Sequence, residues 1–139
     1  MKEELEQHYL ETTYSVFIDN DKHDIKVDEK TPSKINDLIG NNTAVILTAW
    51  NPRSQVFSLA ENKSRNNYLK SALIKNDYSF YDAIGQGNNS SWQAEESFFI
   101  TGISKEETEK LAVEYGQNAY VLLESKKPAS LVFTRIWKE

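Results

Sequence analysis

Cysteine is absent from this 139-residue chain, so a disulfide framework, a thiolate metal cluster and a cysteine nucleophile are all excluded. Histidine occurs only at His8 and His23, too little for a histidine metal site, and no metal or cofactor is expected. Proline and glycine are sparse, 3 and 5 residues. No linker, repeat or low-complexity tract stands out, and residues 1–139 read as one globular domain. No apolar run reaches membrane-spanning length, and the opening MKEELEQHYL is acidic and amphipathic rather than signal-like. The expectation is a cytoplasmic protein without a membrane partner. Positive charge is in deficit, 16 Lys and Arg against 21 Asp and Glu for a net charge of -5. Without a basic run, a nucleic-acid polymer is not an expected partner. The Walker loop, HExxH and GxSxG motifs are missing as well.

What is present is ordinary globular material, 39% hydrophobic and 27% charged. Residues 2–11 read as a short helix with Leu5, Tyr9 and Leu10 inward. Thr12–Asp19 alternates as a strand, Asn20-Asp21-Lys22 turns, and His23–Val27 returns as a hairpin. Thr31-Pro32 opens a short helix with Thr31 as cap, and Gly40 ends it. Thr43–Trp50 is a continuous apolar, β-branched run, the best candidate for a central strand buried on both faces. Ser58 and Glu61 form a capping-box pattern for a helix over Leu59–Lys75. Tyr78–Ile84 and Ser97–Ile103 read as strands around the Gly85–Ser91 turn. Ser104 starts a helix that stops at Tyr115-Gly116, and Ala119–Glu124 with Ser130–Trp137 reads as a closing hairpin. The fold class expected is α+β with an α/β-like centre. It is a single domain with a mixed β-sheet, hairpins at both ends and three to four helices packed on it.

The Leu59–Lys75 helix carries the main functional signal. At about 100° per residue, Leu69, Ala72 and Leu73 define its inward face. Toward the N-terminus the same stripe runs through Arg65, Asn62 and Ser58, with Glu61 and Asn66 at its flanks. A buried face that begins polar needs partners, a ligand or water. The loop before it supplies Asn51, Arg53, Ser54 and Gln55, donors and acceptors suited to oriented hydrogen bonding. This loop follows the carboxyl end of a strand, where ligand crevices of α/β sheets lie, and leads to a helix N-terminus, which favours anions. A second cluster holds Trp92, a stacking surface, with Glu95 and Glu96. Adjacent glutamates on an extended segment face opposite sides, so only one joins a given site, and Glu96 is the one assigned. A third cluster is Gln117-Asn118. A purely structural account also fits: Ser58 and Glu61 as a plain cap, Arg65 clamped on Glu95, Glu96 or Glu61, and Asn51-Pro52 and Gln117-Asn118 as turns.

Thr48-Ala49-Trp50-Asn51-Pro52-Arg53-Ser54-Gln55, then Ser58, Glu61-Asn62 and Arg65, together with Trp92, Glu95-Glu96-Ser97 and Gly116-Gln117-Asn118-Ala119, resemble domain-of-unknown-function family 3293. Those are small bacterial proteins without an assigned activity. The resemblance spans about Thr13 to Val132 and departs in the GQGNNSSW turn. It implies one shared polar site built from Asn51, Ser54, Gln55, Glu61, Asn62, Arg65, Glu96 and Gln117-Asn118, and supplies no substrate.

Three functions compete. The first is a pocket for a small polar or phosphorylated, possibly nucleotide-like anion, sensed or sequestered. In it Arg53, Arg65 and the helix N-terminus hold the charge, and Trp50 or Trp92 stacks on a ring. The second is a metal-independent enzyme acting on a nucleotide or related metabolite, with Glu61 or Glu96 as base and Arg65 as electrostatic stabiliser. The third is a protein-interaction domain, toxin-neutralising or host-targeting, whose polar cluster is structural. The site expected to be shared by loop and helix places Gln117 or Asn118 within hydrogen-bond reach of Asn51–Gln55 or of Glu61 and Asn62.

Overall fold

In a computed structural model, which describes residues 2–87 and 94–137, the chain is an α+β protein. Its helices are α1 (Lys2–Leu10), α2 (Ser33–Ile39), α3 (Leu59–Lys75) and α4 (Lys105–Glu114). Its strands are β1 (Thr13–Ile18), β2 (Asp21–Ile25), β3 (Thr43–Leu47), β4 (Ser79–Gln86), β5 (Glu95–Thr101), β6 (Ala119–Glu124) and β7 (Ser130–Phe133). This is the element order read from the sequence. The strands form one 7-stranded sheet, β2-β1-β4-β5-β3-β6-β7.

Every ladder in that sheet is antiparallel, which corrects the expected mixed sheet. The reason lies in the crossovers. The units β3-α3-β4 and β5-α4-β6 each join two strands of like direction, as in α/β proteins. In each unit, however, a strand of the other unit lies between the two: β5 between β3 and β4, β3 between β5 and β6. The four strands make the interleaved split β-α-β arrangement of ferredoxin-like sheets. The β1-β2 hairpin extends one edge and β7 the other.

β3 is paired on both sides, with β5 and β6, and its alternate residues serve two cores. Ala44 and Ile46 join Val16, Ile25, Phe99 and Val121 with Ile35 and Ile39 of α2. Val45 and Leu47 join Phe98, Ile100 and Leu122 beneath Leu69 and Leu73 of α3 and Ala112 of α4. Val27, just past β2, makes a parallel bridge to Ala129, just before β7. The two edges thus meet around the α2 core, so the sheet is curled with that core on its inner face. Among the described residues, no helix is long and apolar enough to cross a membrane.

Local details depart from the reading. β3 stops at Leu47 rather than Trp50, and β5 runs Glu95–Thr101 rather than Ser97–Ile103. The first hairpin turns on Asp19-Asn20, both left-handed at φ 50° and 70°. Ile18 pairs with Asp21, so Asp21 and Lys22 belong to β2; a two-residue turn with two left-handed positions matches the strand twist. α2 is capped at Pro32 with no side-chain bond, while the Thr31 hydroxyl donates to the Lys127 carbonyl at 3.4 Å. Trp137 falls beyond β7, which ends at Phe133.

Candidate functional site

Antiparallel pairing gathers the polar segments at one end of the sheet. β3 ends there at Leu47 opposite Phe98, β6 begins there, and β4 ends there at Gln86. The chain leaves β3 through Thr48–Trp50, makes a tight turn over Pro52–Ser54 and enters α3. The turn is strained: Asn51, Arg53 and Ser54 are all left-handed, with φ of 44°, 56° and 60°. Asparagine tolerates that region, whereas Arg53 and Ser54 each cost about 1 kcal/mol or more.

Buried side chains hold this turn in place. Asn62, 1% exposed, accepts from the Asn51 backbone N–H at 2.8 Å and donates to Asn51 Oδ1 at 2.8 Å. Asn51 Oδ1 also accepts from the Phe57 N–H at 2.9 Å. The Arg53 N–H donates to the Gly116 carbonyl at 2.6 Å, and Asn118 Nδ2 donates to Ser54 Oγ at 3.2 Å. Gln117 Nε2 donates to the Trp50 carbonyl at 3.1 Å. The expected contact between the Asn51–Gln55 loop and Gln117-Asn118 is therefore present. Asn66, one turn beyond Asn62, accepts from the Ala49 N–H at 2.8 Å and donates to the Glu96 carbonyl at 2.7 Å.

Among the described residues Arg65 bonds no carboxylate, contrary to the sequence reading. Its Nε donates to the Ala49 carbonyl at 2.9 Å and its Nη2 to the Tyr115 carbonyl at 2.7 Å. Tyr115 is the C-terminal cap of α4, where unsatisfied carbonyls carry negative potential that suits a guanidinium. The helix end takes the role expected of an acid. Arg65 is half-buried, and its guanidinium carbon lies 5.8 Å from the Phe57 ring centre. Glu61 closes the capping box with Ser58, and Glu96 pairs with Lys63 at 3.1 Å.

The sequence-assigned residues therefore separate into two sets. Asn51, Asn62, Arg65, Gln117, Asn118 and Ser54 form one connected network around the turn. Glu96 meets it only through its backbone carbonyl, which Asn66 and Thr48 reach. Its side chain instead lines a groove of about 370 Å³ between α3 and β4-β5, with Phe17, Asn66, Lys70, Asp82 and Ile84. The side chains of Arg53, Ser54 and Gln55 are exposed. Trp50, proposed as a stacking surface, is 2% exposed and is core; Trp92 lies outside the described residues. Asn66 belongs to the buried face of α3 rather than to its flank. Its signal was spacing: Asn62, Asn66, Leu69 and Leu73 are the buried residues of α3, a run of four-three-four steps along one face.

A family model described as Protein of unknown function (DUF3293) matches residues 47–120. That is more than half of the chain, from the last residue of β3 to the second of β6. The chain belongs to this DUF3293 family. The stretch shared with the family contains the strained turn, all of α3 and α4, and the side chains that fix the turn. No curated protein and no solved structure matches the chain.

Proposed function

We propose that the chain is a binding module whose Asn51–Phe57 loop recognises a small anionic, ring-containing ligand of the nucleotide or sugar-phosphate class, for sensing or sequestration. The observation that carries this reading is the turn itself. Left-handed Arg53 and Ser54 are held from beneath by bonds from Asn118 and to Gly116, while the Arg53 and Gln55 side chains face outward. Strain fixed by a buried polar framework, under exposed donors, is how a preorganised recognition loop is built. Arg53 supplies the free positive charge, since Arg65 is engaged with carbonyls. Half-buried Phe57, whose ring faces the Arg65 guanidinium, replaces Trp50 as the aromatic surface of the loop. Turnover is less favoured, because the assigned bases have other partners: Glu61 the helix cap, Glu96 Lys63.

A thermal-shift screen of nucleotides and sugar phosphates, followed by calorimetry, tests the reading. A ligand at 100 times its Kd adds about 2.7 kcal/mol of stability. Arg53→Ala should lose binding at unchanged stability, and Lys34→Ala should bind as wild type. If no anion of these classes shifts the melting temperature, the reading fails.

A second reading draws on Val56, 88% exposed, and Leu59, 48% exposed, which flank the same loop. Two bare apolar side chains beside an arginine are typical of a protein-docking loop. A stable complex lost on Val56→Asp, without a small-molecule shift, would select it.

A further inference from the structure

The helices cover only part of the outer face of the sheet. Leu69 and Leu73 of α3 and Ala112 of α4 pack over β3, β5 and β6, whereas α1 and α2 pack on the inner face. Among the described residues, the outer side of β1 and β2 carries no helix, and Phe17 of β1 stands 40% exposed there. The groove of about 370 Å³ runs where the flank of α3 meets this bare half. Its volume falls within the range of about 300–1,000 Å³ usual for small-ligand clefts.

Strand pairing sets the floor. Along β5, Glu96 and Phe98 point toward α3, and Glu95, Ser97 and Phe99 the other way. Ile84 of β4 pairs with Glu96, and Asp82 with Phe98, so Ile84 and Asp82 share the outer face. Val16 pairs with Ala83, which brings Phe17 level with Asp82 as the far wall. The near wall is α3, through Asn66, Asn67 and Lys70. At one end Lys63 crosses to Glu96 at 3.1 Å and closes the gap. Lys70 lies two helical turns further on, about 10 Å along the axis. Asp82 lies one strand repeat beyond Ile84 in the same direction, about 7 Å down the sheet. There the walls carry the same two kinds of charge, but the gap stays open. Among the described residues, neither Lys70 nor Asp82 has a hydrogen bond or an ion pair.

We propose that this groove binds a zwitterion of the amino-acid or short-peptide class with an apolar side chain. Asp82 receives the ammonium, Lys70 and the Asn67 amide receive the carboxylate, and Phe17 and Ile84 pack against the side chain. A simple anion or cation leaves one wall charge unmatched, whereas a zwitterion answers both with charge-assisted hydrogen bonds. The Asn66 amide is already engaged with the Ala49 N–H and the Glu96 carbonyl, so recognition falls to Asp82, Asn67 and Lys70. Among the described residues, none of these three joins the network that holds the Asn51–Phe57 loop, so this site and that loop fail separately.

The test is an amide-detected NMR titration of the full chain with phenylalanine and with leucylphenylalanine, two sources of the same zwitterionic chemistry. The N-acetylated dipeptide and the dipeptide amide each remove one charge. A bound zwitterion should move the resonances of Phe17, Asn67, Lys70, Asp82 and Ile84 and leave those of residues 51–57 in place. The tighter of the two probes tells free amino acid from peptide. Each blocked dipeptide should bind at least about fivefold more weakly, and the parent dipeptide should weaken as much on Asp82→Asn or Lys70→Met. Both substitutions fall on exposed side chains, so melting temperatures should stay at the wild-type value. Lys105→Met, on α4, should bind as wild type. Silence from both zwitterions, equal binding of the blocked forms, or wild-type affinity in Asp82→Asn and Lys70→Met would overturn the proposal.

Discussion

Asn62→Ala is the sharpest probe of the polar framework. The carboxamide is 1% exposed and makes two short bonds, from the Asn51 N–H and to Asn51 Oδ1, both 2.8 Å. A longer one reaches the Phe57 carbonyl at 3.4 Å. Each short bond contributes about 1 kcal/mol net. Truncation also leaves the Asn51 N–H without its acceptor and opens a small void, together about 1–2 kcal/mol more. Relaxation of left-handed Arg53 and Ser54 returns part of this, since their strain no longer has to be held. The expected loss is about 2–3 kcal/mol, against about 1 kcal/mol for removing the exposed Glu61 cap. Asn62→Asp separates hydrogen bonding from volume. It keeps the acceptor for the Asn51 N–H but turns a carboxylate oxygen toward Asn51 Oδ1 and the Phe57 carbonyl, and should cost at least as much as alanine. Urea denaturation gives the magnitude, and hydrogen exchange at the Asn51 and Phe57 amides gives the location. A loss under about 1 kcal/mol, with both amides still protected, would refute the view that Asn62 holds the turn.

Two further outcomes follow from the same geometry. Arg65→Lys should lose about 2 kcal/mol in urea melts despite the retained charge, because one ammonium does not span the Ala49 and Tyr115 carbonyls as the planar fork does. Glu95 should make stability fall as pH rises. Its carboxyl lies at about 7 in the folded chain against an ordinary 4.5, so the folded state holds the proton more tightly. Stability is full below the ordinary value, declines between the two and levels off above, for a total near 3 kcal/mol. The difference between wild type and Glu95→Gln across that window isolates this contribution. A flat difference would contradict it.

The elements were legible because each carries its own local signal. The Ser58 capping box, the Gly40 stop and the β-branched run of β3 each depend on near neighbours in sequence. The ladder directions were not, because β5 slots between β3 and β4 through non-local pairing that no short pattern records. For the site, the helix wheel placed Asn62 on the buried stripe, and the contact between the turn and Gln117-Asn118 was anticipated. The partner of Arg65 was not. Sequence reading pairs a cation with an acidic letter, whereas its partners are main-chain carbonyls, which every residue possesses. The facing of Glu95 is not legible for the same kind of reason. Strand alternation says that one glutamate faces each side, and only the two cores show which side encloses it.

The framework explains why the turn and α4 belong to one mechanical unit. Gly116 is left-handed at φ 72°, and a Cβ there would come 2.8 Å from Pro52 Cβ. The end of α4 and the strained turn are thus in direct contact, with the Arg53 N–H donating to the Gly116 carbonyl across that contact. Arg65 bonds the residue before it, Tyr115, and Gln117 the carbonyl of Trp50. Bonds from three consecutive residues of the α4 exit therefore determine where the β3 exit sits. A ligand or partner that displaced the Arg53 backbone would break the Gly116 bond and disturb the carbonyl end of α4. The turn can yield only if those bonds yield with it. Side-chain groups that merely decorated a surface would leave the two exits independent, and the 47–120 segment shared with DUF3293 proteins is the stretch that links them.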